Sequence, residues 1–440
     1  MRNQLAKIIY NIYHNDVIKV ENDISKLEYL RKSEIESYQL TKLNLLLEYA
    51  YTNIPYYRNI LNNIGIGNKG INTLDELKKF PITRKEDLRN NYSLFISEKP
   101  VTYSIGSTSG STGEPLVYRK SYNSNVIEMA LVLRFEKNMG IKIGDSKLLI
   151  WGGIEMDPYK KLKRYIKNYI YNYDYYNNYN VNLKKLSKLV DKLYKKHYVY
   201  YRSYPSTMAI IANEINNRNE EFNNYPKAIS VSVETLMKSD RAIIEKVFGK
   251  ILYDQYGCGE VNSIAFECSE HQGLHHAFEH SIIEVLDDND NDSKSGRLII
   301  TNLDNYAMPL IRYENGDIIT LAEYECTCGR ESMLISEIQG RIFDKIVGTN
   351  GKIVHGGFFD DLILKSNAEI NKWQIVQSDI DCLKLYYISK KNISIASKNY
   401  IKHYIKKQLG SNTKIIFEKK DYLMPEENGK YKFVKSMLSM

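Results

Sequence analysis

Apolar residues recur at helical spacing up to about Tyr92, with Leu43, Leu46, Leu47 and Ala50 on one face before the turn-forming Thr52-Asn53-Ile54-Pro55. In Pro81-Ile82-Thr83-Arg84-Lys85-Glu86-Asp87-Leu88 a further helix start is expected, Thr83 capping it and Glu86 completing a capping box. From Val101 the period shortens to two. Val101, Tyr103 and Ile105 alternate, a Ser/Thr/Gly loop follows, and Leu116 to Tyr118 resumes extended backbone. Strands such as Lys147 to Trp151 then mix with helical stretches such as Ser206 to Asn216, an α/β texture. Past Gly340, Trp373 to Val376 and Leu383 to Ile388 read as strands. A helix from about Lys398 carries Ile401, Tyr404, Ile405 and Leu409 on one face, Gly410 stands at its C-cap, and Lys414 to Phe417 reads as a last strand. The pattern predicts an α/β protein, with a large N-terminal domain of mixed sheets and helices over 1–340 and a small α+β C-terminal domain over 341–440.

Composition narrows the class. With 43% hydrophobic and 26% charged residues in 440, a large core can be buried and wholesale disorder is excluded. No apolar run approaches the ~18 residues of a membrane span. Asn11, His14, Asn15 and Asp16 interrupt the first twenty residues, so no secretory core is expected and the protein reads as cytoplasmic. A net charge of +8 favours small anionic ligands without demanding nucleic acid. The 37 tyrosines are densest from Tyr159 to Tyr204, where rings beside lysines would suit a single strand. The same Tyr/Asn/Ile/Lys bias runs through the whole chain, so it reads as composition and no nucleic-acid partner is expected. Five cysteines, an odd number, argue against a disulfide framework and leave metal binding or burial.

Ser107-Thr108-Ser109-Gly110-Ser111-Thr112-Gly113-Glu114-Pro115 sets hydroxyls and glycines between two expected strands, a loop that offers N–H and O–H donors to anionic oxygens. It lacks the Gly-Lys-Ser/Thr ending of a Walker A loop, and alone it reads equally as a linker. Further on come Ser232-Val233-Glu234-Thr235-Leu236, Tyr256-Gly257-Cys258-Gly259-Glu260, Ile311-Arg312-Tyr313-Glu314-Asn315-Gly316-Asp317, Gly340-Arg341-Ile342-Phe343-Asp344-Lys345 and Asn428-Gly429-Lys430. This ordered set resembles the adenylate-forming (acyl-activating) superfamily, and within it the branch of phenylacetate-coenzyme A ligases and their capsular-polysaccharide relatives. Ile54-Pro55-Tyr56-Tyr57-Arg58, Phe80 to Leu88 and Tyr204-Pro205-Ser206 point to the same branch.

The resemblance implies roles. Ser107, Thr108, Ser109, Gly110, Ser111, Thr112 and Gly113 would hold the β- and γ-phosphates of ATP, Glu234 and Thr235 would line the adenine, and Tyr256 and Gly257 belong to the same nucleotide site. Glu260 would take Mg2+, a hard cation suited to oxygen ligands. Asp317 would accept from the ribose hydroxyls with Arg341 in support, and Lys430 would neutralise charge between carboxylate and α-phosphate. Trp151, Gly152, Tyr204, Pro205 and Cys258 would line the acid pocket, and Asp344 would be the pivot of a mobile C-terminal lid, the hinge lying near 341–345. Two departures stand out: Gly259 replaces a Ser/Thr, and Glu314 replaces an arginine. At about 1 kcal/mol for a neutral hydrogen bond and about 2–3 for a charged one, they predict weaker nucleotide binding rather than lost activity.

Cys268, His275, Cys326 and Cys328 would supply the four ligands of a closed structural Zn2+ site, a pattern some relatives share. The expected reaction is a two-step ligation: a carboxylic acid and ATP form an acyl-adenylate, and the acyl group passes to a thiol, coenzyme A. Two alternatives stand beside it, an amide-forming ligase of surface-polysaccharide assembly and a degenerate, non-catalytic nucleotide-binding protein. The oligomeric state is left open, a homodimer included.

Overall fold

The computed structural model describes residues 2–108, 116–152, 158–178, 183–218, 220–341, 345–423, 426 and 431–438. They fall into two compact units, one made of Met1–Ala6, Ile143–Leu252 and Gln339–Met440, the other of Lys7–Lys142 and Tyr253–Ile338.

In the second unit the helices Lys32–Asn53 and Pro55–Asn63 meet at the expected break, Pro55 taking the first helical turn, where its missing N–H costs nothing. Leu43, Leu46, Leu47 and Ala50 are fully buried in one core with Phe80, Phe95, Ile283, Leu298, Ile300 and Tyr313. The strands Ser281–Leu286, Ser295–Asn302 and Tyr313–Leu321 form an antiparallel meander, and short strands Ala265–Glu267 and Leu274–His276 carry pairing on to Leu252–Tyr256. Tyr103–Ser107 and Val117–Ser121 form the expected hairpin, in register from Tyr103 opposite Ser121 to Ser107 opposite Val117.

The cap at Lys85–Asn90 differs from expectation by one residue. Arg84 is the N-cap, and its N–H donates to Asp87 (2.7 Å) rather than to Glu86. Thr83 is withdrawn because its own backbone is needed elsewhere: it bridges Tyr313, its N–H donates to the Arg312 carbonyl (2.9 Å), and its hydroxyl donates to Ile311 O (3.2 Å).

The first unit holds the two-stranded pair Lys345–Val347 and Ile353–His355 and two larger sheets. One is parallel, in the order Ala228–Val231, Tyr200–Ser203, Lys147–Trp151, Tyr173–Asn177, joined by crossover helices over a core that includes Leu148, Ile150, Tyr201, Ile211, Ile229 and Leu252. The other, Lys414–Lys419, Cys382–Ile388, Lys372–Asp379 and Val434–Ser436, surrounds its own core of Phe359, Trp373, Leu385, Ile401, Ile405 and Phe433. Its helix is Ile395–Leu409, capped by the Ser394 hydroxyl accepting from Ser397 N (3.0 Å), with Gly410 beyond it at φ 108°. Two expectations are corrected here. Tyr404 is 38% exposed, because the buried stripe runs Ile401, Ile405, Leu409 at strict four-residue spacing. Lys414–Lys419 is not the last strand: Val434–Ser436 follows, too short to show a period in sequence but held parallel on Ile375–Gln377. Among the described residues no helix is long and apolar enough to cross a membrane.

Candidate functional site

One strand builds half of the site. Along Tyr313–Leu321, Tyr313, Asn315 and Asp317 are each placed by their hydrogen bonds, although the pairing with Ser295–Asn302 shifts register between Glu314 and Ile318 and Gly316 turns at φ 87°. Tyr256, at the end of its own strand, donates its hydroxyl to Asp317 Oδ2 (2.6 Å); Asn315 Nδ2 donates to the same oxygen (2.8 Å) and to Tyr256 Oη (2.9 Å). Tyr313 donates to Glu260 Oε1 (2.7 Å), and Lys85 Nζ stands 4.0 Å from that oxygen. Burial first, then the neighbouring Asp317, holds the Tyr256 phenol far above its ordinary range; burial and Glu260 do the same to Tyr313. Both phenols therefore stay protonated and act as donors. Sequence reasoning missed Asn315, Tyr313 and Lys85; their place within the motif that carries Asp317 was the available signal for the first two.

Glu314 is drawn aside by Arg84 Nε (3.1 Å) and Arg297 Nη1 (3.4 Å), which pair with it. Its acidic charge is thus spent on structure.

The other departure has a steric cause. A Cβ built on Gly259 would stand 3.1 Å from Tyr118 Oη and 3.4 Å from Thr108 Cγ2. The Tyr118 hydroxyl thus stands beside the place a Ser or Thr would fill. Gly257 is tighter still, with Ser263 N 2.7 Å from a Cβ, so only glycine fits there. Gly259→Thr is expected to lower ATP affinity severalfold by pushing Tyr118 aside, and Tyr118→Phe in that background to restore part of it; nucleotide titration of the two variants checks this. Cys258 spends its sulfur on closing the turn, with Val261 O at 3.3 Å and Val261 N at 3.4 Å, and burial together with Glu260 keeps it a thiol.

Beneath this turn lies a buried frame of charges. Lys120, on the strand after the Ser/Thr/Gly loop, donates to both oxygens of Glu128 (2.8 and 2.9 Å). Glu128 Oε1 also accepts from Asn262 N (3.0 Å), and its backbone carbonyl from Ser263 Oγ (3.2 Å). His280 stands 3.5 Å from Glu128 and 3.0 Å from Asp304, which pairs with Lys42 at 2.6 Å. Despite burial, which disfavours the charge, Asp304 and Glu128 raise the His280 pKa. Of the loop itself, Ser107 ends its strand, and Thr108 N donates to Leu116 O (3.0 Å), closing the neck; 109–115, and with them Ser109, Gly110, Ser111, Thr112 and Gly113, lie outside the described residues.

In the other unit, Glu234 is half-buried. One oxygen accepts from Ser206 N (3.1 Å), the other from the N–H of Tyr431, and burial raises its pKa. Lys372, itself buried, lays its ammonium 3.8 Å from the centre of the Tyr431 ring and within electrostatic reach of Asp240 and Glu234. Burial lowers the Lys372 pKa to about 8 and raises that of Asp240 to about 7. Thr235 Oγ1 lies 3.7 Å from where a Cβ on Gly340 would stand, and Arg341 ends the strand Leu334–Arg341. Lys430 and Asp344 lie outside the described residues. Trp151 stacks on Tyr204 (centroids 5.3 Å apart, 22° between planes), Gly152 N donates to Tyr204 Oη (3.0 Å), and Pro205 starts the helix Pro205–Asn217, so these four expected pocket residues do come together.

Residues 346–437 match the family model of the CapK C-terminal domain. A phenylacetate-coenzyme A ligase of Thermus thermophilus is 25% identical over 80% of this chain and 80% of its own, and Protein CapK of Staphylococcus aureus is 25% identical over 98% and 99%. The chain is similar over most of its length to phenylacetate-coenzyme A ligases and to CapK. Its fold is that of the adenylate-forming ligases: a 2-hydroxyisobutyryl-CoA ligase, solved in the postadenylation state with an acyl-AMP, superposes with a TM-score of 0.72 at 18% identity, over 89% of this chain and 87% of that one.

Cys268, His275, Cys326 and Cys328 put four ligand atoms within 4.8 Å of one another, with Cys268 Sγ 3.5 Å from Cys326 Sγ and Cys328 Sγ 3.2 Å from His275 Nε2. Around a tetrahedral zinc with bonds of about 2.0–2.3 Å, ligand separations are roughly 3.3–3.8 Å; the two short pairs lie close to that span and the others within 4.8 Å, so the set is compatible with the ion after small side-chain shifts. Burial, aided by Arg330, lowers the His275 pKa to about 4, leaving the neutral imidazole a metal needs.

Proposed function

We propose that this chain is an ATP-dependent, carboxylate-activating ligase that forms an acyl-adenylate and transfers the acyl group to the thiol of coenzyme A. The observation that carries the reading is the hydrogen bonding of Tyr313, Asn315 and Asp317, which sets a metal-ready carboxylate, Glu260, beside a donor-held acid, Asp317, within a fold of adenylate-forming ligases.

In this reading Asp317, fixed by Tyr256 and Asn315, accepts from the ribose hydroxyls with Arg341 in support, and Glu234 with Thr235 lines the adenine. Ser107 to Gly113 hold the phosphates as pyrophosphate departs. Glu260 would hold Mg2+, which supplies charge neutralisation to the departing pyrophosphate. Lys85 adds a positive charge on the same side. Trp151, Gly152, Tyr204, Pro205 and Cys258 shape the acid pocket. Residues 341–440 act as the lid, Asp344 as its pivot, and Lys430 as the cation that bridges the acid and the α-phosphate in the first step. The protein works as a cytoplasmic enzyme without a nucleic-acid partner.

Acid-dependent ATP–pyrophosphate exchange, measured across aromatic, aliphatic and sugar acids, tests the reading. Exchange with at least one class is expected, followed by coenzyme A-dependent release of AMP. No exchange with any acid in folded protein would return the chain to a non-catalytic nucleotide binder, and AMP release with amines but not with coenzyme A would make it an amide-forming ligase.

The Cys268, His275, Cys326 and Cys328 cluster holds a structural zinc in this proposal, with all four positions filled by protein and none left for catalysis. Protein purified without chelator is expected to carry about one zinc per chain by metal analysis. His275→Ala should lose most of it and lower the unfolding temperature, whereas a metal-free wild type would remove the assignment.

A further inference from the structure

The segment between the strand Ala228–Val231 and the helix Lys238–Phe248 belongs to the parallel sheet by sequence and to the C-terminal domain by contact. Met237 is buried in a core whose other buried members run from Ile346 to Val434. It is also the N-cap of the helix, with no side-chain acceptor for the first turn. Asp360, on the C-terminal helix Gly356–Lys365, supplies that acceptor: Ser239 donates its N–H to Oδ2 (3.2 Å) and its hydroxyl to Oδ1 (2.6 Å). Asp360 is 2% exposed and accepts from Trp373 Nε1 (3.1 Å) as well, so it is fixed from its own side. At the other end Glu234 accepts from the N–H of Tyr431. Tyr431 and Asp360, both of the C-terminal domain, thus hold the two ends of the segment.

Beside the first grip, Val233 stands at φ 83°. A β-branched side chain rarely adopts that left-handed backbone, and one that does is kept there by its surroundings. The strain therefore lies next to Glu234 and Thr235, the residues read as lining the adenine. Around the same contact Lys372 Nζ, Asp240 Oδ2 and Ser206 Oγ are buried with no hydrogen-bond partner among the described residues, and they would regain water when the contact parts. Strained backbone and unpaired polar atoms both oppose the closed arrangement, so the grips and not the segment maintain it. We propose that Asp360 is a positioning residue for the nucleotide site: from the C-terminal domain it clamps 233–239 in a strained backbone that presents Glu234 and Thr235 to the adenine, and the segment relaxes when the clamp lets go. The adenine rests on the ligase reading; the clamp itself does not.

Hydrogen exchange of the full chain, followed over peptides covering residues 232–241, tests the clamp without any ligand. Asp360→Asn offers one accepting oxygen in place of two and should speed exchange there about tenfold or more; Ser239→Ala, which leaves the C-terminal core untouched, should speed it severalfold. Exchange in the strand Cys382–Ile388, from the same core, should match wild type in both and separates a lost clamp from a lost fold. Val233→Gly added to Asp360→Asn should slow the segment again severalfold, because glycine takes φ 83° without strain. A merely structural Asp360 would not give that reversal. Unchanged exchange at 232–241 in both single variants overturns the proposal, as does an added Val233→Gly that slows nothing. ATP titration of the same proteins tests the link to the nucleotide: affinity should fall about tenfold in Asp360→Asn and recover in part with Val233→Gly. Wild-type affinity in Asp360→Asn despite faster exchange also overturns the proposal. A wild type that binds no ATP removes the adenine together with the ligase reading, and the exchange result then decides the clamp alone.

Discussion

Glu260→Gln is expected to lower acid-dependent ATP–pyrophosphate exchange by about a thousandfold, the several kcal/mol that a correctly held metal contributes where charge develops. Glutamine preserves shape, and its carbonyl can still accept from Tyr313 Oη, now 2.7 Å from Oε1, so the core around Tyr313 should survive. What disappears is the only formal negative charge of this loop, between Tyr256 and Val261, that could ligate a hard cation. Lys85, 4.0 Å away, is then left facing a neutral group, which removes any compensation from the protein itself. Exchange measured against magnesium concentration checks the cause: the residual activity should need far more Mg2+ than wild type. Wild-type exchange in this variant would move the metal to another carboxylate.

Glu234→Gln should reduce exchange by roughly ten- to a hundredfold. The carboxylate satisfies two buried N–H groups, those of Ser206 and Tyr431, one with each oxygen. A carboxamide has a single oxygen, and its amino group faces one of those donors. A buried donor left unpaired costs about 1–3 kcal/mol. The burden falls on Tyr431, the neighbour of Lys430, and on Lys372, whose enclosed ammonium loses one of the two negative charges near it. Transfer from a synthetic acyl-adenylate to coenzyme A, which does not call on Lys430, should change much less. The split between the two half-reactions is the measurement; equal losses in both would mean that Glu234 supports only the fold.

Much of this was legible along the chain. The order of motifs singled out Glu234, Glu260 and Asp317 as candidates, and the Cys and His types, with a pattern some relatives share, proposed the cluster whose four ligand atoms the fold gathers. The break at Pro55, the hairpin around the Ser/Thr/Gly loop and the strand Lys147–Trp151 follow from local rules of proline, alternation and turn chemistry. What stayed hidden depends on partners distant in sequence. Thr83 has every property of a cap until a strand more than two hundred residues away claims its backbone. Gly259 looked like a missing hydroxyl because Tyr118, whose hydroxyl stands 3.1 Å from where a Cβ would lie, comes from another hairpin. Glu314 looked like a charge error in the site, yet Arg84 and Arg297 pair with it. Lys372 and Asp240 carry no motif at all, and only burial makes them notable.

The frame of Lys120, Glu128, His280 and Asp304 has a consequence for how such enzymes diverge. It ties the strand that follows the Ser/Thr/Gly loop to the turn that presents Glu260, through Asn262 and Ser263. A substitution at Glu128 would therefore be felt with every acid alike, whereas Trp151 and Tyr204 stack on each other in the other compact unit and share no hydrogen bond with this frame among those described. Under the proposed roles, new substrates can then be acquired by drift around one stacked aromatic pair, while the residues assigned to the nucleotide are inherited intact.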